Sequence, residues 1–201
     1  MWFDRKARVA YMDEIRETVA SYRTKATYQD YLKLPEGALY QLIGGELVLS
    51  PSPESKHQRI RRKLGVAVAN FADEHYLDEV YFAPMDVYFN DEETYQPDIF
   101  FVPWNREKIV EKGRINGAPD LVVEVLSPST ARDDLTTKFK TYERYGVREY
   151  WVIDPDDEGV GIYLGDKGRL TLHQQVQGQG LLKSKVLSGF TVEAEYLFRR
   201  R

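Results

Sequence analysis

Apolar residues recur at helical spacing in two long segments of the chain. In residues 55–76 they form one stripe, made of Ile60, Leu64, Ala67, Val68 and Phe71. A stripe with this period predicts an amphipathic helix that packs one face on a core. A second helix is predicted to begin at Ser129 or Thr130 and to end at Gly146, where a left-handed residue commonly terminates a helix. Residues 4–24 are mostly polar with scattered apolar positions, and they predict a helix on the domain surface.

Shorter apolar runs predict strands. Five of the six residues from 121 to 126 are aliphatic, and the later run EYWVIDP is nearly continuous. Because a helix separates these runs, residues 120–154 predict a strand–helix–strand unit whose two strands are parallel neighbours. Further strands are predicted over 79–89 and 97–102, and hairpin patterns predict extra strands near the C-terminus. The predicted fold class is α/β, bordering on α+β, with a mixed central sheet flanked by helices.

The chain has no segment that reads as a linker, an internal repeat or a low-complexity region. Its 201 residues suit one domain with a substantial core, whereas two full domains would be cramped. We therefore predict an N-terminal helical extension over residues 1–25 and a single domain over residues 26–198.

Composition limits the classes of function. The absence of cysteine excludes disulfides and thiolate metal sites, and it suits a reducing cytoplasm. No apolar run has the length of a membrane span and no signal peptide begins the chain, so we expect a cytoplasmic protein without membrane contact. The net charge of −4 gives no overall basic character. A basic cluster at residues 59–63, which includes Arg61 and Arg62, is either a phosphate-binding patch or a solvated helix face.

Glu124 lies at the centre of an aliphatic strand, where an ionised carboxylate is costly unless a partner or a metal ion compensates it. Asp120 lies on the same face, but four residues of strand span roughly 13 Å, too far for both carboxylates to bind one ion. Asp98 begins another predicted strand, and residues opposite each other on adjacent strands lie about 5 Å apart. Two carboxylates at that separation predict a Mg²⁺ site.

Lys138 is the candidate cation of this site. With Leu135 as the origin, helical phase places Lys138 at about −60°, on the flank of the face that packs on the sheet. A cation beside two carboxylates can orient an attacking water and stabilise negative charge in phosphoryl chemistry. Structural explanations stay open for each residue. Lys138 can form a surface ion pair with Asp134, Asp98 can be a turn residue, and Glu124 can pair with an arginine.

Several ordered blocks of the sequence carry a resemblance to a known family. The blocks are LYQLIGGELVLSPSP, KHQRI, QPDIFFV, GAPDLVVEVLSPSTARDD and KFKTYERYGVREYWVIDP. Over residues 25–195 the chain resembles the bacterial Uma-two family of PD-(D/E)XK restriction-endonuclease-like proteins. The resemblance implies a restriction endonuclease-like core, in which a mixed four-stranded sheet is flanked by helices.

The resemblance also implies a set of catalytic residues. The PD aspartate of the family corresponds to Asp98, and the acidic residue of its (D/E)XK element corresponds to Glu124. Where that motif has lysine this chain has Leu126, and the lysine maps to Lys138 on the following helix. The implied chemistry is Mg²⁺-dependent phosphodiester cleavage, with Mn²⁺ as a substitute ion. Asp98 and Glu124 would be the ligands, and Lys138 would orient or activate the water.

Further positions also match the family, and some of them have both a functional and a structural interpretation. Glu46 corresponds to an upstream acid that reaches the metal directly or through water, or else it is an exposed hairpin residue. His57 corresponds to a histidine that contacts phosphate or the metal site, or else makes a local structural bond. Gln41 stands where many relatives have glutamate and is not assigned as a ligand. Arg61 and Arg62 are the candidate substrate contacts.

The leading hypothesis is a Mg²⁺-dependent endonuclease that acts on DNA. The alternative is a non-catalytic nucleic-acid-binding or protein-interaction module that has kept the nuclease fold, as the acidic net charge and Leu126 would allow. A purely structural oligomerising protein is a third class. The resemblance further suggests a homodimer, which would place two sites on two strands.

Overall fold

The computed structural model describes residues 25–35, 37–50, 52–128 and 130–200. The helices are α1 (Tyr28–Tyr31), α2 (Ser55–Glu74), α3 (Ala131–Leu135), α4 (Thr137–Tyr145) and α5 (Ala194–Phe198). A 3₁₀ helix covers Trp104–Ile109. The strands are β1 (Tyr40–Ile43), β2 (Glu46–Leu49), β3 (Val80–Phe82), β4 (Asp86–Asn90), β5 (Glu93–Tyr95), β6 (Ile99–Phe101), β7 (Val110–Glu111), β8 (Arg114–Asn116), β9 (Leu121–Val125), β10 (Glu149–Asp154), β11 (Gly159–Asp166), β12 (Arg169–Gln177), β13 (Leu181–Lys183) and β14 (Thr191–Glu193).

The strands form two six-stranded sheets and one two-stranded sheet. The strand order is β2-β1-β5-β4-β8-β7 in the first sheet and β12-β11-β10-β9-β6-β3 in the second. Each large sheet contains one parallel pair, β4 with β8 and β9 with β10, among antiparallel neighbours. The predicted mixed sheet flanked by helices is therefore confirmed, as is the parallel pairing within residues 120–154. A second mixed sheet was not predicted.

Strand β9 is buried on both faces because a separate hydrophobic core lies on each side of the second sheet. Its odd-numbered residues face a core that α2, α5 and the C-terminal strands complete. Val122 and Leu126 face the other core, to which the first sheet and α4 contribute. Glu124 is two residues from each of them, and side chains two residues apart lie on the same face of a strand. Its carboxylate therefore points to the side that α4 covers.

Several predicted elements differ from the observed ones. The predicted strand over 79–89 is two strands in different sheets, separated at Pro84, because proline cannot donate to a strand ladder. The helix predicted to end at Gly146 does end there, with φ of 81°, but it is divided into α3 and α4 at Thr136. Helix α5 was not predicted. The surface helix predicted over 4–24 lies outside the described residues, so the division at residue 25 stays a prediction.

Within the described ranges, no helix combines the length and the apolar character needed to cross a membrane.

Candidate active site

Strand pairing sets Asp98 and Glu124 side by side. Strands β6 and β9 are antiparallel and pair Ile99 with Val123, so the next position along each strand places Asp98 opposite Glu124. The backbone N–H of Val125 donates to Asp98 Oδ2 at 2.9 Å, which fixes the aspartate at the start of β6. The two acidic residues are 9% and 4% exposed. The neighbouring position predicted for Asp98 is thus the observed one.

Helix α4 holds one oxygen of the Glu124 carboxylate. Lys138 Nζ donates to Glu124 Oε1 at 3.0 Å, and the Tyr142 hydroxyl donates to the same oxygen at 2.7 Å. Among the described residues, no hydrogen bond reaches Glu124 Oε2. Burial raises the pKa of the Glu124 carboxyl to about 7, because the cost of charging it in apolar surroundings exceeds the attraction of Lys138. A cation beside Glu124 would favour its ionised form.

Lys138 is a buried ammonium between two carboxylates. Its side chain is 2% exposed, and Nζ lies 3.0 Å from Glu124 Oε1 and 2.9 Å from Asp134 Oδ1. Burial disfavours the charged ammonium, but Asp134 and Glu124 outweigh this effect and raise the pKa of Lys138 above its ordinary value. The i,i+4 ion pair with Asp134 therefore exists, but it is buried rather than at the surface, and it extends to Glu124.

Helix α2 supplies basic groups on the other side of Asp98. His57 Nε2 lies 3.1 Å from Asp98 Oδ2, and Arg61 Nε lies 3.9 Å from Asp98 Oδ1. The Arg61 guanidinium also donates to the carbonyl of Ala83. Burial disfavours protonation of His57, but the hydrogen bond and charge of Asp98 outweigh it and raise the pKa of the imidazole. Because His57 and Arg61 are four residues apart, both lie on the helix face that meets Asp98.

These side chains line one cavity of about 630 Å³. Its polar lining includes Asp98, Glu124, Lys138, His57 and Arg61. Much of the remaining wall is apolar, from Leu39, Pro53, Ala83, Pro84, Val125 and Pro128. With Glu54, which also lines it, the result is a recessed site in which three acidic and three basic groups surround a space that a phosphodiester could enter. Apolar walls strengthen the electrostatic interactions inside it.

The oxygen atoms left open at this cavity suit a Mg²⁺ ion. Asp98 Oδ1 and Glu124 Oε2 accept no hydrogen bond from the described residues, and both are hard carboxylate donors. No group of three or more His, Cys, Asp or Glu side chains in the described ranges is arranged to hold a metal ion. Mg²⁺ commonly binds through one or two carboxylates and keeps several waters, so this pair suffices. The residues present therefore fit Mg²⁺.

The structure does not bring Glu46 or Arg62 to the cavity. Glu46 is exposed at the start of β2, beside the hairpin turn, and Arg62 is exposed on α2. Neither residue lines the cavity, and their functional roles stay predictions. Asp120, which strand geometry excluded as a partner of Glu124, is buried at the other end of β9 and forms ion pairs with the more exposed Arg106 and Arg148.

Two polar groups of the site were not predicted. No role was predicted for Tyr142, yet its hydroxyl donates to Glu124. Asp134 was considered only as a surface partner of Lys138, yet it is buried with it. The available signal was the spacing, since Asp134, Lys138 and Tyr142 recur every four residues and would share one face of the single helix predicted here.

Gln41 lines the cavity but its amide is already engaged at both ends. Gln41 Oε1 accepts a hydrogen bond from the backbone N–H of Gln96 at 2.9 Å, and Nε2 donates to the Ser50 hydroxyl at 2.9 Å. Gln41 is not among the predicted ligands, and these contacts give its amide a structural role at the cavity wall.

Comparison with known proteins identifies the fold and the family. No curated protein matches the chain. Among solved structures, it is similar to the crystal structure of "a putative nuclease belonging to DUF820" from Anabaena variabilis, with a TM-score of 0.71 and 23% identity. The similarity covers 86% of this chain and 97% of that one, and it shows a shared fold. The model of the Uma2 family, described as "Putative restriction endonuclease", matches residues 28–195. This chain therefore belongs to the Uma2 family, as its sequence blocks predicted.

Proposed function

We propose that this protein is a Mg²⁺-dependent endonuclease that hydrolyses phosphodiester bonds in DNA. The observation that carries the proposal is the convergence of Asp98, Glu124 and Lys138 on one cavity from the start of β6, from β9 and from α4. Membership of the Uma2 family supports the nuclease class. A purely structural ion pair between Glu124 and Lys138 would not require a second carboxylate beside it with an open oxygen.

Each of these side chains has a distinct part in the proposed reaction. Asp98 and Glu124 would hold the metal ion. Bound Mg²⁺ would polarise the phosphodiester and lower the pKa of a coordinated water. Lys138 is charged and held in place, so it can orient that water and stabilise the negative charge that develops on the phosphate oxygens. Arg61 is the group at the cavity wall that can bind a phosphate of the DNA backbone.

Cleavage of circular DNA tests this function, because a circle has no ends for an exonuclease. Supercoiled duplex DNA and circular single-stranded DNA would be incubated with the protein and Mg²⁺, Mn²⁺ or a chelator. We expect nicked or linear products with either metal ion and none with the chelator. Asp98→Asn protein purified in parallel is the control for contaminating nuclease. DNA binding without cleavage under any of these conditions would contradict the proposal and favour a non-catalytic binding module.

Arg61→Gln is expected to raise the KM for DNA about tenfold and to change kcat little, because a charged hydrogen bond to a phosphate is lost. The slope of log affinity against log salt should fall by about one. Arg62→Gln is the matched comparison, since Arg62 is the next residue of α2 but is exposed and outside the cavity. Arg62→Gln should raise the KM less than Arg61→Gln does, because salt screens an exposed charge. Equal effects of the two substitutions on KM would contradict the placement of the phosphate at Arg61.

A further inference from the structure

We propose that Asp134 is a positioning residue, which holds the Lys138 ammonium against one oxygen of Glu124 and so leaves the other oxygen for a metal ion. This inference deepens the proposed function and rests on it. Asp134 is 1% exposed and does not line the cavity. It therefore contacts neither DNA nor a metal ion there, and it acts through Lys138.

Asp134 is itself held from several sides. Its Oδ1 lies 2.9 Å from Lys138 Nζ, and its backbone carbonyl accepts a hydrogen bond from the Tyr150 hydroxyl at 3.1 Å. Its backbone N–H donates to the carbonyl of Thr130 at 3.0 Å. Tyr150 belongs to β10, the neighbour of the strand that carries Glu124. The backbone of Asp134 is thus tied to the same sheet as Glu124, which places its carboxylate beside Lys138, where a carboxylate can orient a catalytic side chain.

Lys138 needs a second partner if Glu124 is to bind a metal ion. A lysine side chain is long and flexible, and its ammonium has three hydrogens to donate. With Glu124 as its only carboxylate neighbour, the ammonium could bridge both Glu124 oxygens and cancel the charge of the ligand. Asp134 shares the ammonium, so Lys138 Nζ is held between two carboxylates instead of closing over both oxygens of Glu124. Tyr142 also donates to Glu124 Oε1, which leaves both donors of α4 on that one oxygen.

Stability alone does not account for Asp134. A second carboxylate buried against a single ammonium is costly, and replacing buried ionic groups by apolar residues of similar volume is often neutral or stabilising. Asp134, whose burial costs free energy, lies in contact with the Lys138 ammonium next to Glu124. This placement is what a positioning role requires.

Asp134→Asn tests the inference, with Asp133→Asn as the matched control. Asp133 is the neighbouring residue of α3, partly exposed and outside the cavity. Asparagine keeps the size of Asp134 and removes its charge. We expect Asp134→Asn to weaken Mg²⁺ and Mn²⁺ binding about 10- to 100-fold in calorimetry with the metal ion alone, and to lower kcat by a similar factor. The KM for DNA should stay within about twofold, and Asp133→Asn should match the wild type in every measurement.

The outcomes separate positioning from simple stabilisation. Wild-type metal affinity and wild-type kcat per folded Asp134→Asn molecule would overturn the inference, whatever happens to its unfolding temperature. A crystal structure of this variant should show Lys138 Nζ moved towards Glu124 Oε2, and an unmoved ammonium would also overturn it. If the wild type binds metal but cuts no DNA, only the proposed function fails, because calorimetry and the crystal structure still decide the role of Asp134. A wild type that binds neither Mg²⁺ nor Mn²⁺ overturns both.

Discussion

Glu124→Gln is expected to lower the rate of metal-dependent DNA cleavage at least about 10³-fold while the fold stays intact. Glutamine has the shape of glutamate, and its amide oxygen can still accept the hydrogen bonds from Lys138 and Tyr142. Its NH₂ group then takes the place of Oε2, the oxygen left open at the cavity. An amide NH₂ is a hydrogen-bond donor and cannot bind a cation. The substitution therefore removes the metal ligand and leaves the supporting contacts.

Measuring the free energy of unfolding shows whether Glu124→Gln loses activity through loss of the metal-binding oxygen or through loss of the folded structure. Burial of an ionised carboxylate is costly, and the raised pKa of Glu124 reflects that cost. A neutral amide avoids it, so Glu124→Gln should be as stable as the wild type or more stable. Measurement of cleavage under single-turnover conditions and of urea unfolding on the same preparations would check both statements. A variant that keeps cleavage within tenfold of the wild-type rate would contradict the assigned ligand.

Glu149→Gln is the matched control for this experiment. Glu149 is also a buried glutamate, and it lies on β10, the strand next to β9. Its carboxylate accepts hydrogen bonds from the Trp151 indole and from the backbone N–H groups of Lys185 and Val186, and it does not line the cavity. We expect Glu149→Gln to lower the stability by about 1–3 kcal/mol and to keep wild-type cleavage per folded molecule.

The positions of Asp98 and Glu124 could be predicted because strand geometry leaves little freedom. Side chains alternate along a strand, and residues opposite each other on adjacent antiparallel strands are close whatever the surrounding structure. The direction of Lys138 followed from helical phase, because a helix that connects two parallel strands must pack back on their sheet. These inferences required only local geometry and the order of the elements.

The position of Glu46 could not be predicted, because it depends on contacts between distant segments. Glu46 and Gln41 belong to the same β1–β2 hairpin, which pairs Gln41 with Val48 and Ile43 with Glu46. Gln41 is therefore at the open end of the hairpin and Glu46 at the turn. Packing of the first sheet brings the open end to the cavity and leaves Glu46, beside the turn, exposed. No pattern within the hairpin indicates which end faces Asp98.

The absence of lysine at Leu126 has a physical explanation in the layers of the fold. Leu126 and Glu124 are two residues apart and lie on the same side of β9, where Leu126 is buried in the core that α4 helps to form. An ammonium from α4 reaches Glu124 across this interface, so the strand itself need not supply it. Lys138 thus provides the cation while Leu126 contributes to packing.

Lys138→Met is expected to lower the free energy of unfolding by about 3–5 kcal/mol, although methionine fills a similar volume. The substitution leaves the carboxylates of Asp134 and Glu124 buried near each other without the ammonium that joins them. Protonation would relieve part of this cost, and the pKa of Glu124 is already raised. Because the charged form is the unfavourable one, the loss of stability should be smaller near about pH 5 than near about pH 8. Urea unfolding of the variant and the wild type at both pH values measures this loss of stability.

Lys140→Met is the control for the helix, since Lys140 is an exposed residue of α4 and its replacement should cost less than about 0.5 kcal/mol. A double-mutant cycle with Glu124→Gln then isolates the buried pair. When Glu124 is already replaced by neutral glutamine, Lys138→Met leaves one carboxylate without a cationic partner instead of two. The substitution should therefore be less destabilising than in the wild type. We expect the difference to be about 1–3 kcal/mol. Strictly additive effects would mean that Lys138 and Glu124 do not interact in solution, and the assignment of Lys138 to this site would then be wrong.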